Sequence, residues 1–202
     1  MLVIPEIQTA THLERRYAGA VTDISLAAER ILNPTSLITA ADVRTAPASP
    51  GIYGWWFRRG ALEVPDAPYQ ERDGHQLLYV GISPSRAASA GTIRKRLVQH
   101  VYGNASQSTL RRTLGVLLAE PLNLTLALHN GPAHYGTDGE ARITRWMQEN
   151  ARVAWAVDPE PWVVEHELLG SAVLALNIDG RSDDFVRSIS ARRSAALAAA
   201  KG

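Results

Sequence analysis

Apolar positions along the chain recur at two periods. From residue 11, "THLERRYAGAVTDISLAAERIL" carries Leu13, Tyr17, Ala20, Val21, Ile24, Ala27 and Ile31 at helical spacing, with Thr11 and Glu14 in capping-box relation, which predicts an amphipathic helix ended by Asn33-Pro34. A short helical turn and a Pro/Ala/Ser connector follow in "SLITAADVRTAPASP". The apolar runs at 51–58 and 76–82, divided by the polar "VPDAPYQERDG", predict two strands paired antiparallel. "GTIRKRLVQHVYG" places Ile93, Leu97 and Val101 on one helical face, and "STLRRTLGVLLAE" predicts a further helix through Leu110, Leu114, Leu117 and Leu118. Alternation in "LNLTLALH" suggests a strand. "DGEARITRWMQEN" suggests a helix with Asp138 as cap and Ile143, Trp146 and Met147 inward. "RVAWAV" at 152–157 has the length and composition of a third core strand, and it feeds a helix over 161–176 with Pro161 at its start. The alanine-rich "DDFVRSISARRSAALAAAK" predicts a last helix with a weak stripe of Phe185, Ile189 and Leu197, suited to docking or oligomer formation. The expected class is α/β (α+β): a small, mostly antiparallel three-stranded sheet flanked by helices.

Composition narrows the chemistry. The 202 residues suffice for one domain with a sizeable core plus extensions. With 46% hydrophobic and 20% charged residues, no 18-residue apolar span and no signal-peptide pattern, a soluble, cytoplasmic protein without membrane attachment is expected. Cysteine is absent, so disulfides, thiol nucleophiles and cysteine-bound zinc are excluded. Carboxylates, histidines and hydroxyls remain, along with any metal bound by oxygen or histidine. A formal charge of +1 does not mark a nucleic-acid binder by bulk charge. Basic clusters do recur at 15–16, 58–59, 94–96, 111–112 and 192–193, and such runs are solvated helix faces unless several converge on one surface.

Three features have chemical potential. Arg96 and His100, four apart on a helix, leave on one face beside the Ile93/Leu97/Val101 stripe, as either a boundary polar pair or part of a site. Glu165 heads the spacing Leu168, Leu169, Ala172, Val173, Leu176, so it lies on the apolar face or at its margin. A buried carboxylate needs a cation, a metal or several donors. Glu167 falls off that stripe and is expected in solvent. Tyr53 in "GIYGWWF" and Tyr79 in "LLYVGIS" are singly ordinary strand residues. Trp55 and Trp56 alternate across their strand, one for the core and one for the other face.

In the order Gly-Ile-Tyr, Tyr-Val-Gly, Arg-x-x-x-His on the next helix, a helical Glu and then Asn177, these positions resemble the GIY-YIG nuclease superfamily. The resemblance covers 49–103 and 152–177, with an insertion at about 104–151 that compact members lack. It implies a helical extension at 1–46, a GIY-YIG-like nuclease domain at 47–180 and a helical tail at 181–202. Ile82-Ser83 stands where some repair-type members carry lysine, which argues against the nucleotide-excision branch. By position the resemblance implies a catalytic set of Tyr53, Tyr79, Arg96, His100, Glu165 and Asn177, with Glu165 as the ligand of Mg²⁺ or Mn²⁺. Tyr79, or His100 through a shared hydrogen bond, would take the proton of the attacking water; Arg96 would clamp phosphate oxygens; Tyr53 would orient the water or base; Asn177 would brace the site. The implied activity is metal-dependent endonucleolytic hydrolysis of DNA. Two rivals are a catalytically silent module on the same fold that binds nucleic acid, and one that binds protein. The terminal helices are the surfaces expected to contact a second copy or a protein partner.

Overall fold

The computed structural model describes residues 24–87, 89–128 and 132–201. The expected helix from residue 11 lies outside these residues up to position 23. The expected continuity through Ile24 and Ser25 is corrected: both are non-helical, and Ser25 caps a separate start, α1, Leu26–Leu32, closed at Asn33.

Among the described residues five strands make one sheet, all neighbours antiparallel, in the order β1-β5-β2-β4-β3. At its centre are β2 (Gly51–Arg58), β4 (His75–Ser83) and β5 (Ala151–Val157), the strands that the apolar runs predict. The expectation of three strands is corrected by two edge strands, β1 (Ile38–Thr39) and β3 (Glu71–Arg72). Two residues cannot display a period, so neither edge strand has a sequence signal.

Alternation in β2 divides the core. Tyr53, Trp55 and Phe57 enter a large cluster on one face; Ile52 and Trp56 enter a smaller one on the other. The larger face is covered by α2 (Ile93–Tyr102), α4 (Gly136–Asn150) and a 3₁₀ turn at Ala40–Thr45, with α3 (Thr109–Leu117) and α6 (Asp184–Ala199) packed beyond. The smaller face is covered by α1 and by α5 (Pro161–Ser171). Gly54 admits α1 to the sheet, since a Cβ there would sit 2.8 Å from both Ile31 Cγ2 and Leu77 Cδ1.

Three local expectations change. The helix over 161–176 stops at Ser171, after Gly170 weakens it, and Ala172 is extended. The segment 122–126 forms no strand; Leu122, Leu124 and Leu126 lean on the core without a partner ladder, and among the described residues a single bridge, Ala127 to His134, follows. Alternation there records one-sided burial. Helix α4 begins at Gly136 with Tyr135 as cap residue, leaving Asp138 inside its first turn.

The segment 104–151 is anchored by a buried ion pair. The Arg111 side chain is fully buried, its Nε and Nη2 donating to Glu140 Oε2 at 2.9 and 2.8 Å and its Nη1 to the carbonyl of Val101 at 2.6 Å. Glu140 Oε1 in turn accepts from the backbone N–H of Ala105 and Tyr135. Arg111 therefore departs from the solvated role expected of the basic pairs. It ties α2, α3 and α4 together with its charge compensated, the condition for burying guanidinium and carboxylate at tolerable cost.

Candidate active site

The two tyrosines are brought to one face by the register of β2 and β4, which a β-bulge interrupts just beyond Tyr79. Across β2 and β4 the register runs Tyr53 to Gly81 and Trp55 to Tyr79, then slips so that Trp56 faces Leu77. Leu78 is the extra residue, and Leu78 and Tyr79 both pack toward the larger core cluster while Leu77 and Val80 belong to the other. Tyr79, opposite Trp55, shares the face of Tyr53 by regular register, and the bulge sets the strand beyond it, where Leu77 packs on the other face. Gly81 makes room for the result: a Cβ at this position would lie 2.6 Å from Tyr53 Oη and 2.9 Å from Tyr79 Cε1.

Beyond the bulge, β4 lacks a strand on its outer side, and the segment after α5 takes that place. Leu176 N–H donates to Leu78 C=O at 2.8 Å. The Asn177 amide closes a double hydrogen bond with Val80, accepting from its N–H at 2.8 Å and donating to its carbonyl at 2.9 Å.

These elements border a cleft of about 360 Å³. Tyr53 and Tyr79 come from the sheet, Arg96 from α2, Thr109 from the start of α3, Glu165 and Leu169 from α5, and Asn177 and Asp179 from the crossing segment. Of the residues singled out in the sequence, Tyr53, Tyr79, Arg96, Glu165 and Asn177 thus share one concavity. His100 does not line it. The imidazole is fully buried behind Tyr53, its Nε2 sharing a hydrogen bond of 2.8 Å with Tyr53 Oη and its Nδ1 one of 2.7 Å with Ser108 Oγ. Rings of Tyr53, Trp55 and Tyr79 surround it at centroid distances of 5.5, 6.2 and 6.1 Å. Trp55 and Trp56 are both fully buried, on opposite faces of the sheet, and Trp55 meets this imidazole edge-on.

Burial dominates the electrostatics. It pushes Tyr53 well above the usual phenol value, with Tyr79 nearby adding to the rise, and Tyr79 up to about 12. It holds His100 well below the usual histidine value, helped by the charges of Arg96 and Arg111. Both phenols and the imidazole are therefore neutral at pH 7. Arg96 Nη1 donates to Gln99 Oε1 at 2.6 Å and to the carbonyl of Gln107 at 3.2 Å, which fixes the guanidinium beside the Tyr53 phenol, where its charge and hydrogen bonding work against the rise caused by burial.

Glu165 sits beside the buried stripe of α5, which is Pro161, Val164 and Leu168, so it occupies the margin and not the apolar face. Half-buried, it has no hydrogen bond or ion pair among the described residues, and burial raises its pKa. Such a carboxylate lacks compensating charge. Glu165 and Asp179 are the carboxylates of this open cleft, a donor set that suits a hard cation that keeps several waters, as Mg²⁺ does, and among the described residues no cluster of three His, Cys, Asp or Glu could form an all-protein cage. Glu167, expected in solvent, is instead half-buried and accepts from the N–H of Ser25 at 2.7 Å, joining α5 to the start of α1.

Sequence reasoning passed over Ser108, Gln99, Gln107 and the bulge at Leu78. Only Ser108 had an available signal, as the cap of the α3 helix.

Comparison with curated proteins and with solved structures gave no significant match. The family model for the GIY-YIG catalytic domain matches residues 51–195, which spans both tyrosine strands, the Arg-His helix, the segment joined by Arg111 and Glu140, and Glu165 with Asn177. With that match over most of its length, and with both tyrosines facing one cleft, the chain belongs to the GIY-YIG family of nucleases.

Proposed function

We propose that this protein is a divalent-cation-dependent endonuclease that hydrolyses phosphodiester bonds of DNA. The observation that carries the proposal is the convergence of Tyr53, Tyr79, Arg96, Glu165 and Asn177 on one cleft within the matched region. Hydrolysis needs a water that loses a proton, compensation of charge on the phosphoryl oxygens and help for the leaving oxygen. Arg96, held by Gln99 and Gln107 beside Tyr53, would turn its Nε and Nη2 donors to those oxygens. Glu165 would hold Mg²⁺ or Mn²⁺, which when bound supplies positive charge for the leaving 3′ oxygen. Tyr79 opens directly on the cleft and, once ionised, would accept the water's proton; burial favours its neutral phenol, and the guanidinium of Arg96 and a bound cation would act against that. His100 is reached only through Tyr53, whose hydroxyl would orient the water or the phosphate. Asn177 would brace Tyr79 and Gly81 through Val80.

The test is a panel of linear, nicked, flapped and branched DNA and RNA with Mg²⁺ or Mn²⁺, cut by wild type and by Glu165→Gln. Wild type is expected to cleave DNA, and Glu165→Gln to lose at least about a hundred-fold in rate with its melting temperature retained. Glu167→Gln is unsuitable as the control because its carboxylate caps Ser25. Exposed Glu149→Gln should cleave as wild type does. Wild-type silence on every substrate, with salt-sensitive binding retained, would replace this proposal with a non-hydrolytic nucleic-acid module on the same fold.

A further inference from the structure

Behind the cleft, the Tyr53, His100 and Ser108 side chains form a chain of two hydrogen bonds whose direction can be worked out by accounting for protons. His100 and Ser108 are both fully buried. A neutral imidazole has one N–H, so it donates at one end of this chain and accepts at the other. Ser108 Oγ already accepts from the N–H of Arg111 at 3.1 Å, as the cap of α3.

Two arrangements are possible. If His100 Nδ1 carries the proton, it donates to Ser108 Oγ, and the serine's own O–H then has no acceptor among the described residues although it is buried. If Nε2 carries it, Ser108 O–H donates to Nδ1, His100 donates to Tyr53 Oη, and the single unplaced proton is that of Tyr53, which borders the cleft where water or substrate accepts it. An unpaired buried donor costs enough to favour the second arrangement about ten-fold or more.

We infer that Ser108 is a positioning residue: it donates to His100 Nδ1, holds the imidazole as its Nε2–H tautomer, and so makes His100 a donor to Tyr53, whose own hydroxyl proton is directed into the cleft. On the nuclease reading of the cleft, Tyr53 is then a hydrogen-bond donor toward a phosphate or water oxygen. His100 has no vacant lone pair for the attacking water's proton, which leaves Tyr79 as the phenol facing that water. The tautomer itself does not depend on that reading.

The experiment is nitrogen NMR of the full chain labelled with ¹⁵N-histidine, the His100 signals among the six histidines being assigned by their loss in His100→Gln. A pyrrole-type Nε2 and a pyridine-type Nδ1 are expected; the opposite pattern overturns the inference. Ser108→Ala should keep the Nε2–H form, since an Nδ1–H there would be an unpaired buried donor, but should move the pyridine-type Nδ1 signal to higher shift as it loses the serine O–H, and Ser108→Thr, which keeps the hydroxyl, should restore it. An Nδ1 signal that stays in place in folded Ser108→Ala would also overturn the inference. Should wild type prove unable to cleave any nucleic acid, the NMR result still decides the tautomer.

Discussion

At Gly81 one hydrogen atom separates an assembled cleft from a blocked one. The Tyr53 phenol that a Cβ would strike is buried on every other side and hydrogen-bonded to His100, so it has little freedom to yield. Gly81→Ala is expected to keep the sheet but cut cleavage by roughly a hundred-fold, the scale of a misplacement near 1 Å at a reacting centre, as measured by rate on the best substrate. His100 makes a separate prediction. Its folded pKa lies well below 6.5, so between that value and 6.5 the unfolded chain binds more protons than the native one. The stability from neutral His100 is therefore complete above 6.5 and declines as pH falls below it, by up to about 1.4 kcal/mol per pH unit. Denaturant unfolding from pH 7 to 5 should show a shallower decline in His100→Gln than in wild type.

At the level of elements, short devices hold the site at places where regular structure stops. Asn177 substitutes for a missing strand beside Val80. Asn177→Ala strips a backbone N–H and a C=O of their partners and should destabilise the fold by about 1–3 kcal/mol, with loss of activity even where the folded fraction is restored. The Arg111–Glu140 pair is the corresponding device for the 104–151 segment. Glu140→Gln, which strands a buried guanidinium, should cost about 3–5 kcal/mol by denaturant unfolding. Replacing both partners by apolar residues of similar volume should cost less than that single change. Because Arg111 also bonds the carbonyls of His100 and Val101, damage there should reach the end of α2 on which the imidazole sits.

Across the whole molecule, a formal charge of +1 leaves nucleic-acid affinity to local cations such as Arg96 and not to a pervasive field. Binding to DNA should weaken with added salt with a slope set by a small number of phosphate contacts, which titrations at several salt concentrations would count. Among the described residues no helix is long and apolar enough to cross a membrane.

The sequence by itself determined the three central strands, the helices that flank them and the order of the residues that border the cleft. Those signals are periodic or fixed in spacing, and runs of seven to nine residues carry enough period to be read. It also carried the family resemblance, since five separated positions agree in type and order. Only the tertiary structure decided the rest. In "LLYVGIS" the apolar run is continuous, so nothing in it reveals that Leu78 is a bulge and Tyr79 turns inward. The stripe drawn through Glu165 assumed a helix to residue 176, whereas the chain leaves α5 at Ser171 to reach the open edge of β4, a choice made by unpaired backbone groups some 97 residues away in sequence. Arg111 read as a surface cation because its compensating carboxylate arrives from another helix. In each case the deciding partner is distant along the chain, and local pattern holds no record of it.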